Sequence, residues 1–234
     1  MDAIILAGGR GTRLGVLTQN LQKAVFLYRG KPLIAHVIDC LLENPKVKII
    51  NVLTGYRGQD IHEVIFSRYP KQARAGKIKI LDFPDIHGTL TRLYSAIPNI
   101  SRACGYYICG IDSLVPGAVL KRFWAFIDCH RSRSVLLLST KMAVAPTHRT
   151  VCMKNGTVTG YKKRGTYQEF TPDCYREVGI RYFPFETTAS IYKEKILPGQ
   201  YIPEFIQKLI QKEDILSYVF DETWNHFAVA EDFV

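Results

Sequence analysis

The apolar run Ile4-Ile5-Leu6 breaks off into Ala7-Gly8-Gly9-Arg10-Gly11-Thr12-Arg13-Leu14, and few folds accommodate that transition. A short, β-branched run is what a parallel strand buried on both faces requires. The glycines that end it let the backbone reach positive φ and remove side chains, so several N–H groups can approach one anion. Arg13 and Lys23 then frame the loop from its far end. The stretch Ala7 to Val25 therefore reads as a phosphate site, the alternative being a glycine-rich turn with no ligand. Two well-known phosphate motifs do not describe it. The dinucleotide fingerprint needs glycine where Leu14 stands, and the G-x-x-x-x-G-K loop has no matching spacing.

Beyond the loop the chain alternates. Apolar residues at 33, 34, 37, 38, 41 and 42 predict a helix over Pro32 to Glu43, with the proline in its first turn. Strands follow at Val47 to Leu53, Ile78 to Leu81, Tyr106 to Cys109 and Val135 to Leu138. Helices through Ile61 to Ile65, Leu90 to Ile97 and Val119 to Ile127 separate them. This order predicts an α/β fold with a doubly wound, mostly parallel, Rossmann-like sheet whose ligands sit beyond the strand C-termini. From Arg149 the pattern becomes β-rich. A hairpin turned at Asn155-Gly156, a strand over Glu177 to Phe183, a helix over Pro203 to Ile210 and a last strand over Ile215 to Phe220 are expected. We expect one domain over residues 1–234, with a nucleotide-binding half in 1–140 and a lid and substrate half in 141–234.

The formal charge of +10 would suit nucleic acid, but the basic residues are scattered and form no long run, so anionic small molecules are the expected partners. No stretch has the roughly 18 consecutive apolar residues of a membrane span, and Met1-Asp2-Ala3 lacks a basic leader, so a cytoplasmic protein without a membrane partner is expected. Self-association is left open. The six cysteines show no C-x-x-C and no zinc spacing.

The run Leu6-Ala7-Gly8-Gly9-Arg10-Gly11-Thr12-Arg13-Leu14, then Leu17-Thr18, Lys23 and Gly30-Lys31-Pro32-Leu33-Ile34, resembles the signature of the sugar-phosphate nucleotidyltransferases, or NDP-sugar pyrophosphorylases. Both signature prolines are replaced, by Val16 and Gln22, which implies a less rigid loop. The resemblance implies attack by a sugar phosphate, or a similar small phosphate, on the α-phosphorus of a nucleoside triphosphate, giving a nucleotide sugar and pyrophosphate. It implies Arg13 and Lys23 as catalytic cations. Nucleotide contacts would come from Leu6, Ala7, Gly8, Gly9, Gly11, Thr12 and Arg13, and from Gly88-Thr89 against the base. Asp112 would be a ligand of Mg²⁺, although an aspartate capping the next helix is the rival reading. Arg164, Glu177 and Gly179 would line the acceptor pocket. Where the family places a second metal carboxylate this chain has His226, a poor ligand for Mg²⁺.

Such chemistry needs no catalytic triad, because a phosphate monoester, with a second pKa of about 6, is mostly dianionic at neutral pH. It needs cations and alignment. A non-catalytic relative that binds a nucleotide or nucleotide sugar is the competing expectation, and the lost second carboxylate favours it. A glycosyltransferase is disfavoured by the absence of a D-x-D pair.

Overall fold

Among the described residues nine strands share one sheet, and the order in which they lie decides which loops meet. The computed structural model describes residues 1–100, 104–141, 149–162, 173–191, 193–194, 196–228 and 230–233. The main elements of its first part alternate: β1 (Asp2–Leu6), α1 (Leu33–Leu42), β2 (Ile50–Thr54), α2 (Gly58–Arg68), β3 (Ile78–Asp82), α3 (Thr89–Ala96), β4 (Gly105–Gly110), α4 (Gly117–Cys129) and β5 (Val135–Ser139). The hairpin β6 (Thr150–Lys154) and β7 (Thr157–Lys162) follows, then the long β8 (Cys174–Pro184), α5 (Ile202–Leu209) and β9 (Leu216–Phe220). Across the sheet the order is β3-β2-β1-β4-β8-β5-β9-β7-β6, with β8 also reaching β6.

The strands β3, β2, β1 and β4 are parallel, as helical crossovers require. Past β4 the sheet is mixed, which corrects the expectation of a mostly parallel one. β8 is antiparallel to both β4 and β5, the β6–β7 pair is antiparallel, and only β9 beside β5 returns to the parallel sense. The hairpin follows from its turn, where Asn155 and Gly156 both hold positive φ, the conformation that folds two strands directly back on each other.

Strand residues alternate between two cores. Ala3, Ile5, Val52, Tyr107 and Leu137 pack with α1, α2 and α4 on one face. Ile4, Leu53, Ile108 and Leu136 pack with α3 and α5 on the other. Burial of Leu33, Ile34, Val37, Ile38 and Leu41 fixes the inward stripe of α1 at the predicted spacing. Among the described residues, no helix is long and apolar enough to cross a membrane. One feature had no local signal: Asn225–His226 pairs with Ser113–Leu114, just after β4, and fastens the C-terminal segment to the sheet edge where the loops gather.

Candidate active site

Beyond the C-terminal ends of β1 and β4 lies a cavity of about 460 Å³. Leu6, Ala7, Gly8, Gly9, Gly11, Thr12, Arg13 and Lys23 line one wall. Gly88 and Thr89 enter from the start of α3, Asp112 from the turn after β4, and Glu177 and Gly179 from β8. The predicted site residues thus meet in one place, except Arg164, which lies outside the described residues. His226 lines the same cavity.

Of the glycines at 8, 9 and 11, only Gly11 holds a positive φ. In the place of the second signature proline, Gln22 ties the loop down with hydrogen bonds. Its side chain is buried; Nε2 donates to the carbonyls of Ala7 at 2.6 Å and Gly9 at 3.2 Å, and Oε1 accepts from the Ala24 N–H at 2.5 Å. Its own N–H donates to Asp60 Oδ2 at 2.8 Å. One side chain therefore ties the glycine loop to the turn carrying Lys23. Gln22→Ala would orphan these buried groups and is expected to cost about 2–3 kcal/mol, read as a lowered denaturant midpoint.

Gly88 starts α3 at φ +83°, and a Cβ there would lie 2.2 Å from the Gln200 carbonyl oxygen. That carbonyl also accepts from the N–H groups of Leu90 at 3.1 Å and Thr91 at 3.4 Å, so it occupies the helix start. Thr89 has no capping hydrogen bond; its hydroxyl accepts from the Ile202 N–H at 3.1 Å and ties α3 to α5.

Lys23 and Asp112 meet at Nζ–Oδ2 3.4 Å. Asp112 does not cap α4, which begins behind Pro116, so the capping alternative falls away. Burial lowers the Lys23 pKa, with Asp112 opposing and nearby Arg13 reinforcing the shift. For Asp112, burial pushes upward, but the charges of Lys23 and His226 and the Lys23 hydrogen bond prevail and hold it down at about 2. The His226 ring packs behind the pair, with Nδ1 3.3 Å from Ser113 Oγ. Burial drives its pKa down to about 4, Asp112 opposing while Arg176, Lys23 and Arg13 assist, so the imidazole is neutral at pH 7.

This has a sign. The unfolded chain protonates His226 near its ordinary value of about 6.5, whereas the folded chain resists until about 4. Stability contributed by the neutral ring is complete above pH 6.5 and is lost between 6.5 and 4, by at most about 3 kcal/mol. His226→Asn should flatten that limb in metal-free urea titrations, leaving the loss from Asp112, which falls between its ordinary 3.8 and about 2.

On β8, Glu177 is buried and already engaged. It accepts from Arg181 Nη2 at 2.5 Å and from the Tyr161 hydroxyl at 2.8 Å. Gly179 sits at the register shift between Glu177 and Arg181, where β8 departs from regular pairing with β5. Sequence reasoning missed Gln22, Arg92, Arg149 and Arg181. Gln22 alone carried a signal, as a residue occupying a proline's place in a recognised pattern. Six lysine and arginine side chains line the cavity against two carboxylates, among the described residues. Such a cavity favours a strongly anionic occupant. No cluster of three or more metal-ligating His, Cys, Asp or Glu exists among the described residues.

Known proteins resemble the chain in parts and in fold. A UTP–glucose-1-phosphate uridylyltransferase of Haloferax volcanii is 35% identical over 74 residues, which span 32% of this chain and 28% of that protein. The inositol-1-phosphate CTP transferase from T. maritima superposes with a TM-score of 0.78 at 16% identity, covering 99% of this chain and 90% of that one. HddC from Yersinia pseudotuberculosis, complexed with GMP-PN, gives 0.74 at 17% identity, covering 99% and 96%. These structures share the α/β fold. Residues 3–154 match the family model of the MobA-like NTP transferase domain, well over half of the length, and the chain belongs to that family.

Proposed function

We propose that the chain is a nucleotidyltransferase that couples a nucleoside triphosphate to a sugar phosphate, or a similar small phosphate, releasing pyrophosphate. The observation that carries this reading is the Lys23–Asp112 pair, set between the glycine loop and the Glu177–Gly179 wall in a cavity of positive charge. The relatives' names supply the reaction class, as an inference to this chain.

In this reading residues 1–140 take the triphosphate and 141–234 take the acceptor. An acceptor phosphate oxygen attacks the α-phosphorus, the bond from that phosphorus to the bridging oxygen breaks, and the electron pair leaves on pyrophosphate. Lys23 sits between two anions, the α-phosphate and the attacking phosphate, and offsets their repulsion as they close. No proton need be removed from the nucleophile. Arg13 lies along the triphosphate in ground and transition states alike. Arg13→Ala should therefore weaken triphosphate binding and lower the rate together, checked by nucleotide titration beside steady-state kinetics.

The donors present fit Mg²⁺ in one way. Asp112 offers a carboxylate held ionised, and neutral His226 adds no repelling charge. Asp232, the other nearby candidate, spends its Oδ2 on the Ala228 N–H. One protein carboxylate suits an ion that keeps most of its shell as water and phosphate oxygen. Asp112 would hold the ion, which when bound neutralises phosphate charge. A cytoplasmic location fits a reaction that consumes nucleoside triphosphate.

The test is pyrophosphate release from a panel of triphosphates crossed with a panel of sugar phosphates. Release that requires both partners is expected. Triphosphate binding without turnover on any phosphate would return the chain to the non-catalytic reading.

A further inference from the structure

The cavity holds a cation that the phosphate chemistry does not use. Arg92 comes up from α3, is only 4% exposed, and lines the cavity. Its guanidinium lies flush against the glycine loop: a Cβ at Gly8 would stand 2.4 Å from its Cζ, and one at Gly55 2.7 Å from Nη2. Those two glycines make room for it. Its one hydrogen bond among the described residues runs from Nη2 to the Ile86 carbonyl. Nε is sealed from water without a partner. A guanidinium carries five N–H donors and no acceptor, and no carboxylate among the described residues pairs with this one. A buried charge in that condition is costly unless something that enters the cavity completes it.

The sheet order says which part of a nucleotide that is. Arg92 touches residues that follow β1, β2 and β3, namely Gly8, Gly55 and Ile86. The Lys23–Asp112 pair stands on the other side of β1, over β4. From β2 to β4 is two strand spacings, about 10 Å, the reach from an α-phosphate to its own base. The start of α3 is also not free to hold a phosphate, because the Gln200 carbonyl already takes the N–H groups of Leu90 and Thr91. Resting on the nucleotidyltransferase reading, we infer that Arg92 reads the base, selecting one that presents two adjacent acceptors to its donors: cytosine through O2 and N3, or guanine through O6 and N7. Uracil and adenine offer no such neighbouring pair: uracil's O2 and O4 flank N3–H and adenine's N1 and N7 flank its amino group, a donor that a group of donors alone cannot satisfy.

Calorimetric titration of the full chain with CTP, GTP, UTP, ATP and inorganic triphosphate tests this, alongside Arg92→Met and Arg92→Lys. The wild type should bind CTP or GTP about tenfold or more tighter than UTP and ATP, and whichever of the two wins identifies the base. Arg92→Met should lose that preference, Arg92→Lys, whose ammonium is also donors only, should keep it in weakened form, and inorganic triphosphate should bind all three proteins equally. Retention in the lysine variant beside loss in the methionine variant would report the donors rather than unfolding. Equal affinities in the wild type, a preference that survives in Arg92→Met, or a parallel loss of inorganic triphosphate would each overturn the assignment. A wild type that binds inorganic triphosphate but no nucleotide would instead defeat the nucleotidyltransferase reading itself.

Discussion

Lys23→Met is expected to lower kcat/KM by about a hundredfold or more, since one charge-stabilising donor at such a transition state contributes about 3–4 kcal/mol. Lys23 is buried, held in place by the turn that Gln22 caps, and faces a carboxylate at 3.4 Å where two phosphates would converge. Methionine keeps the apolar stem and removes a cation whose pKa burial already depresses, so stability should change by no more than about 1 kcal/mol. Asp112 is left beside His226 and partly open to water, which limits the penalty of losing its partner. Pyrophosphate-release kinetics and thermal melts on the same preparation decide the matter. A large fall in melting temperature, or an unchanged rate, would make the lysine structural.

Asp112→Asn should be harsher, with turnover at saturating Mg²⁺ reduced by about a thousandfold, because two effects add. The single carboxylate available to the metal is gone. The group that supports the proton on Lys23 is gone as well, leaving burial and Arg13 to push that pKa lower still. The sign of the second effect is testable by itself. Whatever activity remains should decline at lower pH than in the wild type as Lys23 deprotonates earlier. Full activity in Asp112→Asn would leave the proposed metal contact without support.

The residues that could be read in advance are those whose roles are local. Ile4-Ile5-Leu6 running into glycine announces a buried strand and a loop over an anion, because period and backbone freedom are properties of neighbours. Asn155-Gly156 announces its hairpin for the same reason. β8 was legible as a strand but its place was not. Insertion between β4 and β5, antiparallel to both, depends on pairings between residues far apart in the chain. His226 was legible as an oddity; its neutrality was not, since that comes from burial and from cations brought by other elements. Arg92 was invisible, an arginine on a helix like any other until Gly8 and Gly55 are seen to yield it space.

β8 has a mechanical meaning. Near its start it carries Glu177, locked to Tyr161 and to Arg181 further along, and its second half is laced to β4, whose end launches the turn to Asp112. The Glu177 end of β8 and the turn to Asp112 are therefore parts of one stiff beam rather than jaws of a hinge. Approach of the two reacting phosphates would be set by hydrogen-bond register along that beam. The irregular step at Gly179 does not break the beam, because the Glu177–Arg181 ion pair spans it.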